Sequence, residues 1–227
     1  MKLEKIPHPI QCVIFDCDGV LVDSEILAAQ TVLTMLKPYG FVMDQEEYSS
    51  RFAGKVEEDT LAIVREEYQI ELPDDFLDRL RSEIERHLDQ DLQPITGMKE
   101  AVERLSLPKA IVSNSRSNRV IASLETTGLS GLVGDNIFAV EVVEHPKPAP
   151  DIYLYAARQL GVSPAACLVV EDSQSGVTAA HRAGMTVVGF LGAGHIPPGH
   201  QEVVKQAGAW TTVANAEELD TLFKEVL

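Results

Sequence analysis

The sequence is short of cysteine, of basic residues and of long apolar runs, and each shortage narrows what the chain does. Its three cysteines, Cys12, Cys17 and Cys167, are odd in number and show neither metal-ligand nor redox spacing. That argues against a disulfide framework or a structural zinc and leaves three small core residues in a reducing compartment. With 19 basic against 35 acidic residues the formal net charge is −16, so the attraction that drives nucleic-acid binding is missing. No apolar run is long enough to span a bilayer, and Met1 to Ile10 holds no apolar core of signal-peptide length. The expectation is a cytoplasmic protein with no membrane and no nucleic-acid partner. Aromatics are only 6%, yet 45% of the 227 residues are hydrophobic, enough for one large domain or two smaller ones.

What is present is organised around the run from Val13 to Glu25, in which an apolar segment ends abruptly in Asp16 and Asp18. A short β-branched and aromatic run bounded by Gly19 predicts a buried strand with both acids at its carboxyl end, where open α/β sheets keep their sites. Strand alternation turns both carboxylates to the same side, where they repel unless a cation or a shared proton intervenes. A divalent ion is the natural solution, and oxygen-only ligands favour magnesium. A carboxylate beside such an ion is able to attack phosphorus while its neighbour moves a proton. An isolated DxDG also serves merely to start a turn.

From Ile26 to Leu36 the apolar spacing is helical until Pro38 and Gly40. Helices are then expected around 44–50, 56–68 and 74–88, with no strand before Leu92. Residues 41–92 carry 16 acidic and 6 basic side chains, and this helical block reads as an insertion. The expected division is a core of residues 1–23 and 94–227 and a small helical domain of residues 24–93. After Pro94, strands at 109–112, 136–140, 167–170 and 185–190 alternate with helices at 98–105, 119–126, 151–160 and 174–183. A short strand and a helix near 217–226 close the chain. That alternation predicts an α/β fold, a doubly wound, Rossmann-like parallel sheet with right-handed crossovers.

Three later strand ends carry polar groups suited to phosphoryl transfer. Ser113, with backbone N–H groups at the following helix start, suits phosphate oxygens, but also suits a helix cap. Lys147 between Pro146 and Pro148 is a fixed cation or an exposed turn lysine. Glu171 and Asp172 complete a metal shell, or Asp172 and Ser173 simply cap a helix.

Read together, DCDGVLVDSE, VSNS, HPKPAPD and VVEDSQSG resemble, in order, the four motifs of the haloacid dehalogenase-like superfamily. The resemblance covers most of the chain outside the helical block. It implies that Asp16 is a nucleophile forming an aspartyl-phosphate, that Asp18 is general acid and base and a metal ligand through its carbonyl, and that Ser113 holds phosphate. It further implies Lys147 as charge stabiliser, Glu171 and Asp172 as the rest of the Mg2+ site, and the helical block as a movable cap. Asn114 and Arg116 are further candidate substrate contacts. In the cap, Arg51 and Lys55 flank a flexible Gly54 and either contact substrate or balance nearby acids. His145, His181, His195 and His200 share no metal spacing and are read as surface or loop residues.

The leading expectation is a magnesium-dependent phosphatase acting on a small phosphorylated metabolite, a sugar or sugar-acid phosphate, as a monomer with a homodimer as the alternative. A β-phosphoglucomutase-like isomerase shares the EDSQ and KPAPD strings. Its pattern has a His where this chain has Ala28, and an Arg where this chain has Glu57. Dehalogenation is disfavoured by Asp18, and a non-catalytic binding protein by the intact set of acids, Ser and Lys.

Overall fold

A computed structural model describes residue 6 and residues 8–52 and 55–227. Residues 1–5 and 7, and Ala53 and Gly54 of the expected contact loop, lie outside the described residues.

Six parallel strands form one sheet in the order β3-β2-β1-β4-β5-β6. They are β1 (Cys12–Phe15), β2 (Lys109–Val112), β3 (Ile137–Phe138), β4 (Cys167–Glu171), β5 (Thr186–Phe190) and β6 (Thr211–Val213). The central strand β1 is paired on both sides, Ile14 facing Ala110 and Val169 in register. Alternation divides its residues between two cores. Val13 and Phe15 pack under α5 (Met98–Glu103), α6 (Ser117–Thr126) and α10 (Ala216–Val226), whereas Cys12 and Ile14 pack against α7 (Asp151–Leu160), α8 (Gln174–Arg182) and α9 (His200–Ala207). The sheet is therefore covered on both faces, as parallel strands require. Cys12 Sγ lies 3.3 Å from Cys167 Sγ in that second core, and all three cysteines are free and buried.

Between β1 and β2 the chain forms α1 (Ser24–Leu36), α2 (Gln45–Phe52), α3 (Glu57–Tyr68) and α4 (Phe76–Asp91). In α4 the buried Phe76, Leu80, Ile84 and Leu88 recur every four residues, one stripe of a helix. Each such side chain contributes roughly 1.5–3 kcal/mol on burial. The outgoing and returning segments lie side by side: the Asp23 N–H donates to Gln93 O at 3.0 Å, and the Ile95 N–H to Leu21 O at 2.9 Å. No helix among the described residues is long and apolar enough to cross a membrane.

The sequence reading and the structure differ at two elements. The strand expected over 136–140 shrinks to Ile137–Phe138 and gives way to a single 3-10 turn, Val140–Val142. Helix α9 forms where the sequence predicts no element, because its consecutive valines break the helical stripe and only Val204 is buried.

Candidate active site

The carboxyl ends of β1, β2 and β4 bring the motifs together. Asp16 continues β1, its N–H donating to Val170 O at 3.0 Å, so its side chain leaves the sheet at a fixed point. Lys147 enters from the segment before α7, with Nζ 2.6 Å from Asp16 Oδ1, 2.6 Å from Glu171 Oε1 and 3.0 Å from Val112 O. It is buried, not the exposed turn lysine that its flanking prolines equally suggested. Burial alone would lower its pKa, but Asp16 and Glu171 overcome that and hold the ammonium well above the ordinary lysine range.

Glu171 is fully buried. Oε1 accepts from Lys147 and from the Tyr153 hydroxyl at 2.9 Å, and Oε2 accepts from the Ser173 N–H and hydroxyl at 3.1 and 3.0 Å. Each oxygen of the carboxylate thus accepts from two protein donors. Gly176 leaves room for it, since a Cβ there would fall 1.7 Å from Glu171 Oε1. Ser173 caps α8, accepting the Gly176 N–H at 3.0 Å. That settles the capping alternative and leaves Asp172 turned into the cavity.

Asp16, Glu171 and Asp172 each offer an oxygen within 4.8 Å of the others, all three residues buried. Burial pushes Asp16 well up, and Glu171, Asp172 and Asp18 add to this against the pull of Lys147. Burial likewise pushes Asp172 well up, reinforced by Glu171 and Glu25. One ammonium does not balance these acids. An all-oxygen donor set that repels itself fits a hard divalent cation such as magnesium.

Asp18 stands apart from this cluster. Its carboxylate accepts from Ser24 Oγ at 2.6 Å, Ser115 Oγ at 2.7 Å and Ser113 Oγ at 3.4 Å. Gly19 gives the turn after it a φ of +78°, and a Cβ there would fall 2.0 Å from Asp172 Oδ2, so both conformation and space demand glycine. Ser113 is not the cap of α6, a position held by Arg116; its hydroxyl accepts the Ser115 N–H at 2.9 Å.

These groups open into a cavity of about 800 Å³ roofed by α1, α2 and α3, and Asp16, Asp18, Ser113, Asn114, Lys147 and Asp172 all line it. Asn114 touches the cavity, but its amide is engaged at both ends, donating to Lys147 O at 3.2 Å and accepting the Lys147 N–H at 3.0 Å. Lys55 lines the cavity, whereas Arg51 and Arg116 do not. Arg51 pairs with Glu67 and lies 5.3 Å from the centre of the Tyr68 ring and 5.8 Å from that of Phe52, in keeping with the charge-balancing alternative. Ala28 and Glu57 also line the cavity.

Two residues here correct the sequence reading. His195 and His200, read as surface or loop residues, reach the cavity and Asp172 itself. The available signal was their position five residues apart just past the end of β5, the strand next to the one that carries Asp172.

The sequence matches the family described as haloacid dehalogenase-like hydrolase over residues 13–190. The 6-phosphogluconate phosphatase of Escherichia coli is 30% identical over 217 residues, 95% of each chain. The β-phosphoglucomutase of Mycobacterium bovis is 32% identical, covering 94% of this chain and 93% of its own. A haloacid dehalogenase-like protein of Agrobacterium tumefaciens has a solved structure that agrees with a TM-score of 0.88 at 39% identity, covering 95% of this chain and 98% of its own. Because the match takes in the sheet and the helical layer alike, the chain belongs to the haloacid dehalogenase-like hydrolases.

Proposed function

We propose that this hydrolase is a magnesium-dependent phosphatase of the cytoplasm that acts on a small phosphorylated sugar or sugar acid. The observation that carries this reading is the Asp16 carboxylate, oriented by Lys147 among buried acids at the floor of a cavity that Asp18 shares. Asp16 attacks phosphorus and the ester P–O bond breaks, while Asp18 gives a proton to the leaving oxygen. Water then attacks the aspartyl-phosphate, Asp18 takes back a proton, and inorganic phosphate leaves. Ser113 and Lys147 hold the phosphoryl oxygens, and Lys147 offsets the charge that develops on them. Asp16 and Asp172, with the Asp18 carbonyl, would hold the magnesium ion, which neutralises charge on the transferring group. Glu171 fixes Lys147 and completes the acidic group around the ion's position.

Hydrolysis is favoured over a mutase cycle by Ala28 and Glu57, both in the cavity wall. Ala28 neither donates a hydrogen bond nor shuttles a proton, and Glu57 repels the second phosphate that a mutase must hold. The helical layer 24–93, whose two crossings run side by side at Asp23 and Gln93, acts as a lid that excludes water and reads the leaving group. On that lid side Tyr48, Ser49, Ser50 and Thr60 supply hydroxyls, suited to a polyhydroxylated substrate.

The test is phosphate release from sugar phosphates, sugar-acid phosphates, polyol phosphates and nucleotides. Turnover is expected with magnesium, is abolished by exhaustive chelation, is restored by magnesium and is poorly supported by calcium, whose larger coordination shell distorts the attack. Conversion of β-glucose 1-phosphate to glucose 6-phosphate without matching phosphate release would overturn the reading in favour of the mutase.

Lys55 and Arg51 separate under the same panel. Lys55→Ala is expected to reorder the substrates by about 10-fold in kcat/KM. Arg51→Ala leaves the order intact, because its charge is spent on Glu67 and two rings away from the cavity. Reordering by Arg51→Ala and not by Lys55→Ala would refute this assignment.

A further inference from the structure

The segment between β5 and α9, Leu191 to Gly199, is a Gly, Pro and His loop with no part in the chemistry above, yet it is held firmly and at the site. Its first N–H, on Leu191, donates to Val213 O at 2.9 Å, and the His200 N–H at its far end donates to Pro197 O at 3.2 Å. In between, the Gly194 N–H lies 3.2 and 3.3 Å from the two oxygens of Asp23. Ile26 packs so close that a Cβ on Gly194 would meet its Cδ1 at 2.4 Å. The loop is thereby fastened both to the sheet and to the point where the chain departs for α1.

From this frame two imidazoles converge on one residue. His195 Nε2 lies 3.2 Å from Asp172 Oδ2, and His200 Nε2 lies 2.6 Å from the Asp172 carbonyl oxygen. A carbonyl oxygen only accepts, so His200 Nε2 carries hydrogen, and His195 Nε2 faces an oxygen that, when ionised, only accepts. Among the described residues His195 Nδ1 is buried with no hydrogen-bond partner, so a second proton there would be unsatisfied and the surroundings favour a neutral ring with its hydrogen on Nε2. A neutral donor is what a metal-binding carboxylate needs from its neighbour. It fixes the rotamer through one oxygen without bringing a positive charge to compete with the cation.

We propose that His195 and His200 are positioning residues for Asp172, His195 setting the carboxylate rotamer and His200 the main chain at the end of β4. The proposal rests on the reading of Asp172 as a metal ligand. Neither imidazole is a ligand itself; each acts through Asp172.

The test is metal affinity in the absence of substrate, measured as free Mn2+ by electron paramagnetic resonance and as Mg2+ binding by calorimetry. His195→Ala and His200→Ala are each expected to weaken the affinity of the intact protein about 10- to 100-fold. His195→Gln, which places an amide N–H near the position of Nε2, is expected to recover most of the loss. The activity of His195→Ala should approach that of the parent at saturating Mg2+, because the rotamer is restored once the ion is bound. Parental affinity in folded His195→Ala and His200→Ala would overturn the proposal. Should His195→Ala fail to fold, His195→Leu in the same titration decides, parental affinity again overturning it. A parent protein that binds neither ion would instead overturn the metal-site reading on which the proposal stands.

Discussion

Asp16→Asn is expected to lower kcat by at least about 10⁴-fold while leaving the cooperative unfolding transition in place. An amide is no nucleophile toward a phosphate ester, so the covalent route is closed and only binding and electrostatics remain. The fold should survive because the change removes one charge from a crowded, buried set of acids. Burial and neighbouring carboxylates already push Asp16 well above the ordinary range, which marks its ionised form as costly in the metal-free protein. The substituted amide keeps an oxygen to accept from Lys147. Single-turnover assays with a chromogenic phosphate ester, beside thermal unfolding, test both halves. Activity within 10-fold of the parent would remove Asp16 as nucleophile, and loss of the unfolding transition would make its role structural.

Lys147→Met is expected to cost about 3–5 kcal/mol of stability as well as turnover. The ammonium is the shared donor to Asp16, Glu171 and the Val112 carbonyl, all buried. Removing it leaves two buried carboxylates with no counter-charge, a larger penalty than losing an exposed ion pair. The pH dependence has a definite sign. A carboxyl whose folded pKa is raised contributes stability below its unfolded pKa and loses it as pH rises through the folded value. Asp16 is already such a group and becomes more so without the lysine. The deficit of the variant should therefore grow from acidic to neutral pH, as read from urea unfolding at several pH values. Lys147→Arg should not rescue, because a planar fork does not fit three acceptors gathered around one nitrogen. A deficit below about 1 kcal/mol at neutral pH would show that another group balances the acids.

Much of this site is legible in the chain itself, for a local reason. In a parallel sheet every strand delivers its carboxyl end to the same edge, so a residue just past an apolar run is placed by that run alone. Asp16, Asp18, Ser113, Glu171 and Asp172 follow such runs, but alternation does not hold past the strand ends: Asp18 stands apart from Asp16, while the adjacent Glu171 and Asp172 both join its cluster. The change from period two to helical spacing after Glu25, and the return at Pro94, likewise exposes the helical block. A pair of valines in α9, by contrast, obscures a helix that tertiary packing nonetheless forms.

What the sequence determined by itself was that Asp16, Asp18, Ser113, Glu171 and Asp172 stand at or just past strand ends. Only the tertiary structure decided which group answers to which. Lys147 meets Asp16 across 131 positions of chain, and that meeting depends on β4 and β2 flanking β1 in register. Glu171, beside its place in the acidic cluster, is an anchor for Lys147 held by Tyr153 and Ser173, and Asn114 is committed to the main chain of Lys147. Arg51 and Lys55 look equivalent in the chain, yet Glu67 and two rings take the first away and leave the second in the cavity. His195 and His200 gain a role because β5 lies beside β4 and carries their loop to Asp172. The physical reason is the same in each case: local spacing fixes backbone periodicity, whereas the partner of a charged or hydrogen-bonding side chain is set by which distant elements pack against it.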